Sequence, residues 1–193
     1  MSIAIVLAAG ASRRFGEADK MLAPVAGRAL VLHAVDAVRA AGVARIAAVV
    51  SSPEVARILP EDVFALMIAP DQGMSASFHA AIDLALVGHP DWPDRAPEGD
   101  GGKVLLVLGD MPAVSPASLR ALLARRDTAA ASCQGVRMPP MALAREDLAA
   151  ARASAQGDRG ARAFLAGLAP EALVAITQGE ARDVDVQSDL DGL

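Results

Sequence analysis

Short apolar, β-branched runs alternate along this chain with stretches of helical spacing, and that alternation restricts the fold more than any other feature. Ile3–Leu7, Val43–Val50, Phe64–Ala69 and Lys103–Leu108 are apolar over nearly their whole length, as strands covered on both faces of a parallel sheet must be. Between them, Ala29–Ala41 carries Leu30, Val31, Ala34, Val35 and Val38 at helical spacing and is closed by Gly42. Pro53 opens a short helix to Leu59, and Ser75 is placed to cap a helix that runs to about Val87. Further on, Pro116–Arg126 reads as a helix started by Ser115-Pro116, Ala129–Ser132 as a strand, and residues 134–143 as a loop leading into a strand. Glu146–Ser154 and a segment ending near Leu168 read as helices, and Leu173–Ile176 as a last strand. Strand and helix in alternation predict an α/β chain built on a doubly wound, mostly parallel sheet. The 193 residues, 1–193, are expected to form one domain with a sizeable core.

Several function classes are excluded early. No apolar stretch reaches the roughly 18 residues that span a bilayer, because Arg, Asp or Gly interrupts each one. The start lacks a basic segment, and Ile3–Leu7 is too short for the apolar part of a signal peptide, so a cytoplasmic location is expected. A net charge of −5 without a basic run, and an aromatic content of 3% with no tyrosine, speak against a nucleic-acid surface. Cys133 stands alone, which removes an intramolecular disulfide and a cysteine metal site and leaves a small, semi-buried residue. Residues 89–102, rich in Pro, Asp and Gly, read as a surface loop with Trp92 as a partly exposed anchor.

Two loops carry the chemistry. The first strand runs into Ala8-Ala9-Gly10-Ala11-Ser12, then Arg13-Arg14-Phe15-Gly16, then Asp19-Lys20. Short side chains let backbone N–H groups approach a ligand, and Gly10 is expected to turn the chain where a Cβ would clash. Bare amides beside cationic side chains make an anion site. The stretch is neither a Walker loop nor a dinucleotide fingerprint, since Gly-Lys-Ser/Thr and the third glycine are missing. In the second loop, Gly109-Asp110-Met111-Pro112 places a carboxylate at the carboxyl end of a buried parallel strand, the rim where open α/β sheets bind ligands. A carboxylate there is costly unless paired or metal-bound. Elsewhere, Arg159 and Arg162 stand at (i, i+3), the spacing of a helix-borne anion clamp. Alternation along a strand would put Asp183 and Asp185 on one side.

The order Leu7-Ala8-Ala9-Gly10-x-Ser12-x-Arg14-Phe15-Gly16 followed by Asp19-Lys20 resembles the signature loop of the MobA-like nucleotidyltransferases, most of all the molybdenum cofactor cytidylyltransferases of the MocA branch. Gly73-Met74-Ser75-Ala76-Ser77, Gly109-Asp110-Met111-Pro112, Gly157-Asp158-Arg159-Gly160-Ala161-Arg162 and Asp183-Val184-Asp185 with Asp189-Leu190 resemble further stretches of that family. The resemblance implies a Rossmann-like nucleotidyltransferase fold. It implies nucleotide contacts at Leu7, Ala8, Ala9, Gly10, Ala11, Ser12, Arg14, Lys20, Gly73, Ser75, Ser77 and Gly109, with Arg14, Lys20 and Asp110 catalytic. Magnesium is implied at Asp110 and Asp185, with Asp183 the near alternative, and acceptor contacts at Arg137, Arg159 and Arg162. Arg137-Met138-Pro139-Pro140 departs from the branch's Arg-Gly-His-Pro. Guanylyl branches read Leu-Ala-Gly-Gly where this chain has Leu7-Ala8-Ala9-Gly10, which favours CTP as donor. The implied reaction joins CMP from CTP to a molybdopterin-type acceptor and releases pyrophosphate, with a molybdenum hydroxylase as client. The other expectations are a guanylyl- or sugar-phosphate nucleotidyltransferase of the same fold and a non-catalytic chaperone of the molybdenum cofactor.

Overall fold

The computed structural model describes residues 2–10, 15, 19–43, 45–92, 102–157 and 160–191. In chain order its strands are β1 (Ile3–Ala8), β2 (Pro24–Val25), β3 (Arg28–Ala29), β4 (Arg45–Val50), β5 (Val63–Met67), β6 (Lys103–Leu108), β7 (Ala129–Cys133), β8 (Val136–Ala144) and β9 (Leu173–Ala175). Its α-helices are α1 (Leu30–Ala40), α2 (Pro53–Ile58), α3 (Gly73–Val87), α4 (Pro116–Leu123), α5 (Leu148–Ser154) and α6 (Arg162–Gly167). Seven strands form one sheet in the order β5-β4-β1-β6-β8-β7-β9, and β2 pairs with β3 in a separate ribbon. The doubly wound, mostly parallel sheet is as expected: β5, β4, β1 and β6 are parallel, and so are β7 and β9. The exception is β8, which runs antiparallel to both β6 and β7.

β1 explains the layering. All six of its residues are buried, and their alternation divides the core. Ala4, Val6 and Ala8 face Val31, Val35 and Val38 of α1 and Leu119 and Leu122 of α4. Ile3, Ile5 and Leu7 face Phe78 and Ile82 of α3, Leu148 of α5 and Leu165 of α6. Each large side chain removed from water in this way contributes roughly 1.5–3 kcal/mol. The chain lays β4 and β5 outward on one side of β1 and returns with β6 on the other, so the order of strands reverses between β1 and β6. Open α/β sheets form their ligand crevice at the carboxyl ends of strands beside such a reversal.

Several expectations need correction. Ser75 caps nothing: α3 begins at Gly73, whose φ of 79° makes the turn into the helix itself, and Ser75 sits inside the first turn. Gly10 is not held by steric need, because its φ is outside the left-handed region and an added Cβ would meet nothing within 4 Å. That need belongs to Gly109, where a Cβ would lie 3.1 Å from Ala8 Cβ and 3.1 Å from Met21 Sδ. Trp92 is buried, not partly exposed, because it stacks on Phe64 of β5 with ring centroids 5.8 Å apart. Asp183 and Asp185 do not lie on a strand: residues 182–185 join no sheet, and Val184 N–H donates to the Asp110 carbonyl at 2.9 Å. α6 begins at Arg162, and the expected face shared with Arg159 falls on a residue outside the described ones. Among the described residues no helix is long and apolar enough to cross a membrane.

Candidate active site

The carboxyl ends of β1 and β6 lie side by side because the strands pair in parallel and Gly109 N–H donates to the Leu7 carbonyl at 2.9 Å. A side chain at Gly109 would crowd that approach, since an added Cβ would press on Ala8 Cβ and Met21 Sδ. Asp19 accepts from Met21 N–H at 2.9 Å and so caps the short turn Lys20–Leu22. That turn drives the Lys20 side chain inward until the residue is 6% exposed.

There Lys20 Nζ donates to Asp110 Oδ2 at 2.7 Å and to the Val184 carbonyl at 2.9 Å, and it lies 3.7 Å from Asp185 Oδ1. Burial pushes the Asp110 carboxyl above the usual aspartate range, Lys20 opposes that, and the nearby Asp183 adds to it. Asp110 Oδ1 is buried and finds no partner among the described residues. The segment carrying Asp183 and Asp185 is held by Asp189, whose Oδ2 accepts from Asp185 N–H at 2.7 Å and Val186 N–H at 2.8 Å. On the far side of the loop, α4 is capped by Ser115, and Glu180 accepts from Ser115 N–H and Ser118 Oγ. Burial pushes the Glu180 carboxyl up, but hydrogen bonds from Ser115, Ser118 and Thr177 outweigh it and hold the pKa at about 2.

Beside this charged cluster opens a cavity of about 730 Å³. Leu7, Leu106, Leu108 and Phe78 form its apolar wall, and four of the chain's seven methionines, Met74, Met111, Met138 and Met141, line it as well. Arg137, Arg162 and Asp183 supply its charge. Arg137 Nη1 donates to the Ala166 carbonyl at 3.1 Å, while its buried Nε has no partner among the described residues. Gly160 lies so close to Met74 that a Cβ there would come within 2.8 Å of Met74 Cγ.

The structure therefore brings the expected residues together in two groups. Lys20, Asp110 and Asp185 form the charged cluster, and Leu7, Arg137 and Arg162 line the cavity, with Asp183 reaching both. Ser77 is buried in α3, and Gly73 and Ser75 lie at the same helix start as Met74. Ala11, Ser12, Arg14 and Arg159 lie outside the described residues. Sequence reasoning missed the methionine lining, although Met74, Met111 and Met138 stand inside the motifs already singled out. It also missed Asp189, which follows Val186 at the spacing of a capping box.

The donors around Asp110 suit a hard divalent cation. A buried carboxylate oxygen lacks a partner, two further carboxylates are near, and no soft ligand is among them. No group of three or more His, Cys, Asp or Glu side chains arranged to hold a metal exists among the described residues.

Residues 4–174 match the MobA-like NTP transferase domain family, and the chain belongs to it. A protein of Pyrococcus horikoshii named probable molybdenum cofactor guanylyltransferase is 30% identical over 115 residues, covering 59% of this chain and 50% of that one. The chain spans at most half the length of the curated relatives it matches. Among solved structures, a nucleotidyl transferase from Methanothermobacter thermautotroptrophicus superposes with a TM-score of 0.75 at 24% identity, covering 98% of this chain and 94% of that one. The Mycobacterium tuberculosis protein Rv0371c, solved in complex with manganese, gives a TM-score of 0.74 at 22% identity, covering 100% of this chain and 99% of that one. These two likenesses establish the fold.

Proposed function

We propose, from its membership of the MobA-like NTP transferase family, that this protein moves a nucleotidyl group from CTP to a molybdopterin-type acceptor with release of pyrophosphate. It would do so as one domain in the cytoplasm, on behalf of a molybdenum hydroxylase. The observation that carries the reading is the buried Lys20–Asp110 pair with the half-exposed Asp185 beside it at the sheet's reversal point, next to a cavity that holds two arginines.

In-line attack by the acceptor phosphate on the α-phosphorus needs no covalent nucleophile from the protein; it needs control of charge. Negative charge grows on the α-oxygens and on the departing pyrophosphate. Backbone amides from Ala9 to Ser12, with Arg14 and Lys20, are the donors proposed to meet it. Asp110 and Asp185, or Asp183 in its place, would hold magnesium, which supplies charge neutralisation at the phosphates when bound. Arg137 and Arg162, with Arg159, would hold the acceptor's phosphate at the cavity. The apolar and methionine walls suit a flat heterocycle, since methionine adapts its shape and favours polarizable partners.

CTP is proposed over GTP because Ala9 carries a methyl group where guanylyl branches have glycine, and Ala9 is buried beside Leu7. One methyl discriminates by only about 1–3 kcal/mol, so the preference is expected to be relaxed. The Pyrococcus horikoshii relative favours the guanylyl reading. Pyrophosphate release with each of the four NTPs, with and without molybdopterin, separates the readings. Acceptor-dependent release that is fastest with CTP, and lost in Asp110→Asn, is the expected result. Fastest release with GTP would overturn the cytidylyl assignment alone; cofactor binding without release from any NTP would leave a chaperone.

A further inference from the structure

We infer that the Lys20 ammonium occupies the divalent-cation position of the nucleotide-free protein, so that metal binding expels it and hands it to the substrate. The inference rests on the proposed role of Asp110 and deepens it.

Among the described residues, three oxygens converge on one buried cation: Asp110 Oδ2 at 2.7 Å, the Val184 carbonyl at 2.9 Å and Asp185 Oδ1 at 3.7 Å. Two carboxylates and a backbone carbonyl are what a hard divalent cation collects, and here they surround an ammonium. The cage is firmly built. Val184 is pinned to the Asp110 carbonyl through its N–H, and Asp189 fixes Asp185 N–H and Val186 N–H from below. Lys20 is fixed as well, since Asp19 caps the turn it stands on.

An ammonium and a divalent cation cannot share these oxygens, because both are positive and the setting is buried, where screening is weak. The open acceptor of the cage is Asp110 Oδ1, which is buried and has no partner among the described residues, so it is free to join the ligands of a cation that has entered past the more exposed Asp185. As the cation settles, Lys20 loses its carboxylate partners. Its stem is anchored in the turn that Asp19 caps, and the released ammonium is then available for the phosphate role proposed for it above. One lysine thereby serves in sequence as stand-in for the metal and as phosphate donor, and the acidic site never stands without a counter-ion.

The chain offers a direct test, because Lys20 and Lys103 are its only lysines. Brief acetylation of the full chain by an amine-reactive ester, followed by peptide mass spectrometry, reads both. Magnesium at saturating concentration is expected to raise the acetylation rate of Lys20 about tenfold and to leave Lys103, the internal reference, unchanged. A second measurement titrates manganese by electron paramagnetic resonance, where Lys20→Met is expected to bind about tenfold more tightly than the unaltered protein. Manganese bound equally or less tightly by a folded Lys20→Met, or a Lys20 rate that does not rise while metal is bound, overturns the inference. Asp110→Asn keeps the two failures apart. If it binds manganese as well as the unaltered protein does, the metal assignment of Asp110 itself falls and the inference falls with it.

Discussion

Both lysines of the chain are buried, one at each end of the sheet's central region, and their partners differ in kind. Lys103 opens β6 at 2% exposure, and its ammonium donates to the carbonyls of Arg125 and Asp127, just past the end of α4. Both carbonyls belong to the turn that follows α4, and a buried carbonyl needs a donor, so a cation there satisfies the backbone. Lys20 reaches the other end, beyond the last residue of β6, and meets two carboxylates and a carbonyl. Carbonyls of such a turn have no other use in the folded state. Carboxylates in a crevice do, because another cation can take them. Burial by itself does not mark a functional lysine; the exchangeability of its partners does.

The largest expected difference is catalytic. Lys20→Ala should cost on the order of 2–4 kcal/mol of transition-state stabilisation, as the loss of a preorganised donor does, or roughly 30- to 1,000-fold in kcat/KM. Steady-state pyrophosphate release, normalised to the folded fraction, checks it. An effect confined to KM for the acceptor would break the comparison by removing Lys20 from the reacting phosphates. For Lys103, the expected loss is in stability. Lys103→Met keeps the stem and strips two buried carbonyls of their donor, each such loss costing about 1–3 kcal/mol before relaxation. Urea denaturation should report a lower midpoint while kcat per folded molecule stays within about twofold, since the site lies at the other end of the strand. A tenfold loss of kcat with an unchanged midpoint would place Lys103 among the functional groups.

Neither lysine's burial was legible in the sequence. The strands were, because their signals are local: Lys103–Leu108 is β6 to the residue, and Ser115-Pro116 starts α4. The Asp110 loop was legible in kind, since a glycine and an aspartate after a buried strand point to a crevice. What failed depends on distant partners. Lys20 and Asp110 are 90 positions apart and read as separate actors, yet they meet at 2.7 Å. In the sequence Lys103 is merely the first residue of an apolar run. The antiparallel β8 was hidden for another reason. Its two-residue turn is Gln134-Gly135, with φ of 49° and 81°, and glutamine is not among the residues that advertise such a hairpin.

The smallest effect separates the two lysines by a slope. Burial lowers the Lys103 pKa below its ordinary value of 10.5, with Asp127 opposing the shift. Between the lowered folded value and 10.5 the unfolded chain binds more protons at this position than the folded one does. Stability attributable to Lys103 must then rise with pH across that window and be at its lowest on the acid side, where the buried ammonium is fully charged. The neutral amine still donates to the Arg125 and Asp127 carbonyls, so deprotonation removes the desolvation penalty without leaving them bare. The gap in urea midpoint between the unaltered protein and Lys103→Met is therefore expected to widen from about pH 7 to about pH 10. A gap that narrows instead would mean that the carbonyls hold the ammonium more firmly than water does. Lys103 would then be stabilised by its charge, and the distinction between the two buried lysines would lie in what can replace them, not in how each one bears its burial.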